Sequence, residues 1–318
     1  MTIDVLTMGE ALLRLTPPDY GLMEQSPTLE MHIGGSELNT AVGLARLGKR
    51  VMWLSRLTDN LVGRQIERTL RAEGVESSIT WTSEDRNGIY YMEEARPPRA
   101  STVTYDRDGT AIRNMTPDAL PHDLFVNAPR WLHLTGITAA LGDTPRATMR
   151  TLVTSAKAAG TLISFDVNYR AKLWDSDLAA TICSDYLQQS DVIFIARRDA
   201  HRLFNLSTEP HHALHQRYPH ALIVMTLGAD GSVVITPDGE IYEQAIFPAE
   251  TVCRVGGGDA FASGMLYSLL ENMHTADALR FATAAAAVKY TLPGDLPCFS
   301  RDMIEAVIDN HVSSDIQR

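Results

Sequence analysis

An α/β fold with a mostly parallel sheet is predicted for this chain of 318 residues. Three observations carry that expectation. Short apolar runs alternate with amphipathic helical stretches along most of the chain, the pattern of a parallel sheet covered by helices. One β-rich stretch, Gly88 to Arg113, interrupts the alternation with no helix between its runs. A contiguous glycine run, Gly256-Gly257-Gly258-Asp259, leads into an amphipathic helix in the last third of the chain.

In order, Ile3–Met8 reads as a buried strand ending at Gly9-Glu10, and Pro17-Pro18 breaks the chain soon after. Residues 12–33 carry no helical pattern, and Glu30–Ile33 reads as a short strand entering Gly34-Gly35. Ser36–Leu47 is a helix, because Leu38, Ala41, Val42 and Ala45 share one face and Gly48 supplies the C-terminal stop. Val51–Leu54 is the next strand and Asn60–Glu73 the next helix. Gly88–Glu93 and Ser101–Asp106 flank Pro97-Pro98 and read as a hairpin. With residues 12–33, the segment 88–112 is expected to form a small separate sheet inserted twice into one larger domain spanning 1–318. Strands then follow at Trp131–Leu134, Leu162–Asp166, Val192–Ile195, Leu222–Leu227 and Val233–Thr236. Helices are expected at Pro145–Ala159, Asp177–Gln188, Thr275–Tyr290 and Arg301–His311.

Composition narrows the function. Apolar residues make up 45% and charged residues 21%, ordinary values for a globular protein. The formal net charge is −11 with no basic run, which argues against nucleic acid and anionic membranes as partners. An anionic substrate must therefore be held by locally placed arginines or backbone amides. Cys183, Cys253 and Cys298 show neither a disulfide framework nor metal-ligand spacing, so a reducing cytoplasm is the expected compartment. The N-terminus has no secretory pattern, and no apolar run approaches membrane-spanning length.

The glycine run is the first chemical signal. Phe261, Met265 and Leu269 recur at helical spacing, so a helix begins near Gly258. Its first N–H groups lack internal partners, its dipole adds positive potential, and the glycines let a ligand reach the backbone. Together they form an anion site suited to a phosphate. Asp259, one step on, caps such a helix in the simplest reading. Beside a phosphate cradle it can instead take the proton of an attacking hydroxyl, while Gly256, Gly257 and Gly258 stabilise the transferred group. Neither a Walker P-loop nor a dinucleotide fingerprint occurs. Gly34-Gly35 opens another helix, with Asn39 one turn inside it on an otherwise apolar pattern, where an amide can bond a polyol hydroxyl.

Gly34-Gly35-x-x-x-Asn39 near the start and Gly256-x-Gly258-Asp259 near the end resemble the paired signatures of the ribokinase (PfkB) family. The resemblance covers nearly the whole chain. It implies a ribokinase-like three-layer α/β/α domain with a small β-sheet lid. It implies ATP and Mg2+ as cofactors and a hydroxymethyl group as acceptor. Phe165–Trp174 is similar to the D-x-N-x-R-x-x-L-W stretch of 2-keto-3-deoxygluconate kinases, as are Leu13-Arg14-Leu15, His133–Thr138 and Tyr105–Gly109. That likeness implies that Gly34, Gly35, Asn39, Tyr90, Tyr105, Arg107, Ile137, Arg170 and Asp295 bind the sugar, with Asp259 as base. Thr226, Gly228 and Gly231 resemble the turn beside the nucleotide, and Asp199 the acid that meets magnesium through water. Arg107 and Arg170 suit a carboxylate, because a guanidinium fork matches it with two hydrogen bonds. Neutral-sugar kinases of the fructokinase or ribokinase type, nucleoside kinases, and a non-catalytic sugar-binding regulator are the competing readings. The lid's exposed edges point to a homo-oligomer. Three positions depart from the family pattern: Cys253 replaces a frequent Asp, Gly257 a frequent Ala, and Ala196-Arg197-Arg198-Asp199 an N-x-x-E motif.

Overall fold

The computed structural model describes residues 2–309. The chain opens with β1 (Val5–Met8), β2 (Leu12–Thr16), β3 (Glu30–Gly34), α1 (Ser36–Arg46), β4 (Val51–Thr58), α2 (Leu61–Ala72) and β5 (Glu76–Thr82). The β-only stretch gives β6 (Gly88–Glu93) and β7 (Thr102–Asp106). Alternation resumes with β8 (Trp131–Thr135), α3 (Gly136–Ala140), α4 (Asp143–Ala158), β9 (Leu162–Asp166), α5 (Ser176–Leu187), β10 (Val192–Ala196), α6 (Arg197–Phe204) and α7 (Pro210–Arg217). β11 (Leu222–Thr226), β12 (Ser232–Ile235) and β13 (Ile241–Gln244) precede α8 (Gly257–Leu270), α9 (Thr275–Tyr290) and α10 (Arg301–Ile308).

Nine strands form the large sheet, in the order β13-β12-β11-β10-β9-β8-β1-β4-β5. It is parallel from β5 to β11, and β12 and β13 add an antiparallel margin. Successive side chains of a strand face opposite ways, so β1 feeds two cores. Val5 packs with Val51 and Trp53 under α1, α2, α8 and α9, whereas Leu6 and Met8 pack with Leu54 on the side of α3 to α7. These two apolar layers make the α/β/α sandwich. The C-terminal ends of β8, β9, β10 and β11 open on one edge, where ligands of such sheets gather.

The second sheet has four strands, in the order β3-β2-β6-β7. β2 runs parallel to β6 with Arg14 opposite Tyr90, and β6 runs antiparallel to β7 with Tyr90 opposite Tyr105. Its apolar face is small: Leu12, Tyr90 and Met92, with Val103, Tyr105 and Val255 against them. The ladder of β7 stops at Asp106, and an isolated bridge between Thr110 and Arg86 carries the pairing nearer to residue 112. Ala111 and Ile112 are buried in a 3-10 turn, and Ile112 joins the large domain's core.

α8 differs from its expected single apolar stripe. Every residue of it except Gly258 and Leu269 is buried, because α1 and α9 flank it while the sheet lies beneath. Glycine permits that crowding: a Cβ on Gly264 would stand 2.9 Å from the Cα of Ala282 in α9. β5, β13 and α3 were not expected from the sequence, and β4 extends past Leu54 to Thr58. α10 starts at Arg301 as expected and ends at Ile308; residues 310 and 311 of the expected helix lie outside the described residues. Among the described residues no helix is long and apolar enough to cross a membrane.

Candidate active site

The three glycines do different jobs. Gly256 takes a left-handed conformation (φ 78°) to start α8, and a Cβ there would overlap the carbonyl oxygen of Asp295. A Cβ on Gly257 would run into the Tyr290 ring. At Gly258 no atom lies within 4 Å of that position, so this residue opens onto the cavity. Glycine is thus needed at 256 and 257 to make the turn, and at 258 to leave room in front of it.

Asp259, in the first turn of α8, is buried with both carboxylate oxygens occupied. Oδ1 accepts from Ser36 Oγ at 2.6 Å and Oδ2 from Asn39 Nδ2 at 2.7 Å, both on α1. Ser36 Oγ in turn accepts from Asn168 Nδ2 at 2.7 Å. Asn168 reaches it from a left-handed backbone (φ 38°) just past β9. Burial pushes the Asp259 pKa up, and the two hydrogen bonds restrain that rise. The result is an oriented carboxylate more basic than a surface aspartate. Asn39, expected as a ligand for a hydroxyl, instead spends its donor on Asp259, and its Oδ1 accepts from the Gly35 N–H at 3.3 Å. Sequence reasoning missed Ser36 and passed over Asn168, though Asn168 stood within a quoted motif.

Beneath the small sheet the cavity has a second constellation. Asp295 accepts from Arg14 Nη1 at 3.0 Å and from the Tyr90 hydroxyl. Arg14 is buried and also donates to Glu94 at 2.7 Å. Tyr90 and Tyr105 pack with ring centroids 5.8 Å apart. Gly34 does not line the cavity; it lies behind Asp295, where a Cβ would overlap the carboxylate. Arg107 is not a free fork. It pairs with the buried Glu10, whose other oxygen accepts from Thr110 Oγ1 at 2.6 Å. Arg170 differs: its side chain donates to the Tyr169 carbonyl at 3.2 Å, and among the described residues it makes no ion pair. Ile137, at the start of α3, lines the same wall.

The cavity, about 600 Å³, continues past the glycine turn to the ends of β10 and β11. Thr226 and Gly228 line it there. Gly231 does not; its left-handed backbone (φ 101°) packs against the Gln244 carbonyl and closes the turn from behind. Asp199 is buried at the start of α6, with Arg198 Nε 3.4 Å from its carboxylate, and burial raises its pKa. Asp166, at the end of β9, is raised to about 8 by burial and by the negative charge of Asp259. Both acids line the cavity. Among the described residues no group of three or more ligands could hold a metal by itself. A magnesium ion carried by a polyphosphate needs only one or two carboxylates, and Asp166 and Asp199 fit that requirement. Asp166 was not singled out from the sequence, although it opens the quoted D-x-N motif.

Comparison with known proteins gives one answer. The family model for pfkB family carbohydrate kinases matches residues 2–301. The chain is 37% identical over 311 residues to a 2-dehydro-3-deoxygalactonokinase of Haloferax volcanii, covering 97% of each protein. It is 30% identical over 296 residues to a 5-dehydro-2-deoxygluconokinase of Clostridium beijerinckii, covering 90% of this chain and 86% of the relative. The crystal structure of a 2-dehydro-3-deoxygluconokinase from Thermotoga maritima superimposes with a TM-score of 0.89 at 27% identity, covering 97% of this chain and 99% of that one. With its glycine turn, oriented aspartate and two-sheet architecture, the chain belongs to the pfkB family of carbohydrate kinases.

Proposed function

We propose that this kinase transfers the γ-phosphoryl group of ATP to the terminal hydroxyl of a 2-keto-3-deoxy sugar acid, 2-keto-3-deoxygluconate or its galacto epimer. The observation that carries the acid substrate is Arg170, a cavity guanidinium that makes no ion pair among the described residues, while its charge holds down, against burial, the pKa values of Asp166, Asp199 and Asp259. A guanidinium fork presents two parallel donors to a carboxylate. The relatives' names, all of keto-deoxy aldonate kinases, agree with that reading.

In this mechanism the sugar lies under the small sheet, against Tyr90, Tyr105, Ile137 and Asp295. The triphosphate runs past Gly258 toward Thr226 and Gly228. Asp259 takes the proton of the attacking hydroxyl as that oxygen bonds to the γ-phosphorus; the bond from phosphorus to the ADP oxygen breaks. Asn39 and Ser36 aim the carboxylate, and Asn168 aims Ser36. N–H groups of the α8 N-terminus face the transferring group, where positioning and electrostatics dominate phosphoryl transfer. Magnesium bound near Asp166 and Asp199 would neutralise charge on the phosphates. The small sheet serves as a lid, its limited core placing it among the least stable parts of the fold.

We place the enzyme in the cytoplasm, where ATP is available, with no nucleic-acid or membrane partner. We further infer a homo-oligomer through the lid, where Met31 is 54% exposed on β3; sedimentation of the purified protein tests this. The deciding experiment for function is ATP-dependent phosphorylation across 2-keto-3-deoxy and 5-keto-2-deoxy sugar acids, fructose, ribose and nucleosides. Turnover with the acids well above the neutral compounds is expected. Preference for a neutral sugar would overturn the acid assignment, and no turnover with any would return the chain to a binding role.

A further inference from the structure

The small sheet meets the large domain at one carboxylate. Arg14 on β2 stands directly opposite Tyr90 on β6 in the parallel pairing of the two strands. Both side chains clasp Asp295, which follows α9 in the chain. Arg14 Nη1 donates to its Oδ1 at 3.0 Å, and the Tyr90 hydroxyl donates to its Oδ2. Arg14 is 1% exposed; it also donates to Glu94 Oε1 at 2.7 Å and to Cys253 Sγ at 3.4 Å. Behind the carboxylate there is no spare room, since a Cβ on Gly34 would overlap Oδ2. Asp295 and Tyr90 line the cavity, and Arg14 does not. Any effect of this arginine on a bound sugar must therefore pass through the groups it holds.

Donors and acceptors are divided in a definite way among these groups. A guanidinium only donates, and a carboxylate only accepts. Burial, with the charge of Asp295 adding to it, pushes the Tyr90 pKa up, so the phenol keeps its hydrogen and gives it to Asp295. What remains toward the cavity is a wall of acceptors, the free lone pairs of Asp295 and of the Tyr90 oxygen. Such a wall takes hydroxyl hydrogens and repels a carboxylate, which leaves the acid end of a sugar acid to Arg170. A buried carboxylate is costly unless a cation accompanies it. Arg14 is that cation, and because Glu94 shares it, two acids depend on one fork.

We propose that Arg14 is a positioning residue of sugar recognition: it holds Asp295 in place as the acceptor for a substrate hydroxyl, and with Tyr90 it makes the small sheet and the sugar site one unit. The proposal rests on the sugar lying under the small sheet. It does not depend on that sugar being an acid.

The test is a double-mutant cycle on the Kd of 2-keto-3-deoxygluconate, measured by calorimetry with steady-state kinetics beside it. Asp295→Asn removes the acceptor, Arg14→Met removes the cation that holds it, and the double variant removes both. Each single variant should weaken sugar binding about ten- to a hundredfold, the scale of a charge-assisted hydrogen bond. The KM for ATP should hardly move, and kcat at saturating sugar should change much less than the sugar KM. The double variant should bind no worse than Asp295→Asn alone, because an arginine that acts through Asp295 then has nothing left to hold. Losses that multiply would overturn the proposal, as would a folded Arg14→Met with wild-type sugar affinity. If Arg14→Met does not fold, Arg14→Lys takes its place in the cycle, since a point charge cannot bridge Asp295 and Glu94 as a fork does, and the same two outcomes decide. An unchanged sugar Kd in Asp295→Asn removes the contact on which the proposal stands, and the proposal with it. If the wild-type protein prefers a neutral sugar, the acid assignment fails, while the same cycle run on that sugar still decides the role of Arg14.

Discussion

Asn39 and Asp259 are separated by 220 positions and joined by a 2.7 Å hydrogen bond from the amide to the carboxylate. The donor holds one oxygen in place while Ser36 holds the other. Replacing Asp259 by Asn keeps the size but removes the base and sets an amide N–H against a donor. kcat should fall by about two to four powers of ten, with little change in sugar KM. Steady-state kinetics of the purified variant check this, and near-wild-type turnover would remove Asp259 from the chemistry.

The pH profile reads the same contact differently. Asp259 must be ionised to accept a proton, and burial has raised its pKa. Activity should therefore fall with decreasing pH, through a value above that of an exposed aspartate. Asn39 and Ser36 restrain the rise, so Asn39→Ala and Ser36→Ala should move the acidic limb to higher pH. Much of the kcat should return at alkaline pH. A profile that drops uniformly without shifting would show that these residues act on something other than the Asp259 charge.

Gly257→Ala and Gly258→Ala should fail in different ways. The first drives a methyl into Tyr290 and should lower the melting temperature along with activity. The second meets no protein atom and should leave the melting temperature nearly unchanged while kcat falls, because the methyl stands where the phosphate approaches. Melting curves measured beside kinetics distinguish the two, and a fully active Gly258→Ala would mean that nothing approaches the backbone there.

Arg170 and Arg107 should also part company. Arg170→Ala loses a charge-assisted contact to the substrate carboxylate, roughly 1.5–3 kcal/mol, or about ten- to more than a hundredfold in kcat/KM. That loss should be confined to acid substrates. Arg107→Ala leaves Glu10 buried without its cation, so stability should drop by about 3–5 kcal/mol and all substrates should suffer together. Assays on a sugar acid and a neutral sugar, with denaturant unfolding, provide the comparison. Equal effects of Arg170→Ala on both sugars would make that arginine structural.

Glu37 gives a stability prediction. It is fully buried on α1, its Oε1 accepts from Thr135 and Thr138 at 2.7 and 2.6 Å, and burial raises its pKa to about 7. A carboxyl whose folded pKa exceeds its unfolded value binds more protons when folded. Its contribution therefore disfavours the fold as pH rises from the unfolded value toward and past 7. From this group alone, stability should fall by about 2 kcal/mol between pH 5 and 8. Glu37→Gln should lose that part of the slope, and parallel slopes in urea titrations at both pH values would refute it.

What could be read without a structure was mostly local. The glycine run, Asp259 and the helix they open are contiguous, so chemistry and conformation appear in one short stretch. Thr275–Tyr290 was legible to the residue because its ends coincide with a clear change of pattern. The small sheet was legible as an absence of helices. β5 and β13 were not, because margin strands with exposed positions lose the apolar signal. Partnerships were hidden altogether. Arg107 looked free because Glu10 lies 97 positions away, and Asn39 looked free because Asp259 lies 220 positions away. A side chain's type announces what it can bond; only the fold decides which bond it makes.

The ion pair of Arg14 with Asp295 spans 281 positions, and this bears on biosynthesis. A chain emerging from the ribosome can pair β1 with β4 and pack α1 early, since those contacts are near in sequence. It cannot build the floor beneath the tyrosines until Asp295 has been made and has reached Arg14. A chain terminated before that residue would keep the strands of its sheet and leave the buried Arg14 of β2 with Glu94 as its remaining acid. Ligand binding would thus distinguish finished molecules from unfinished ones, and substrate present during synthesis would selectively retain the finished ones by mass action.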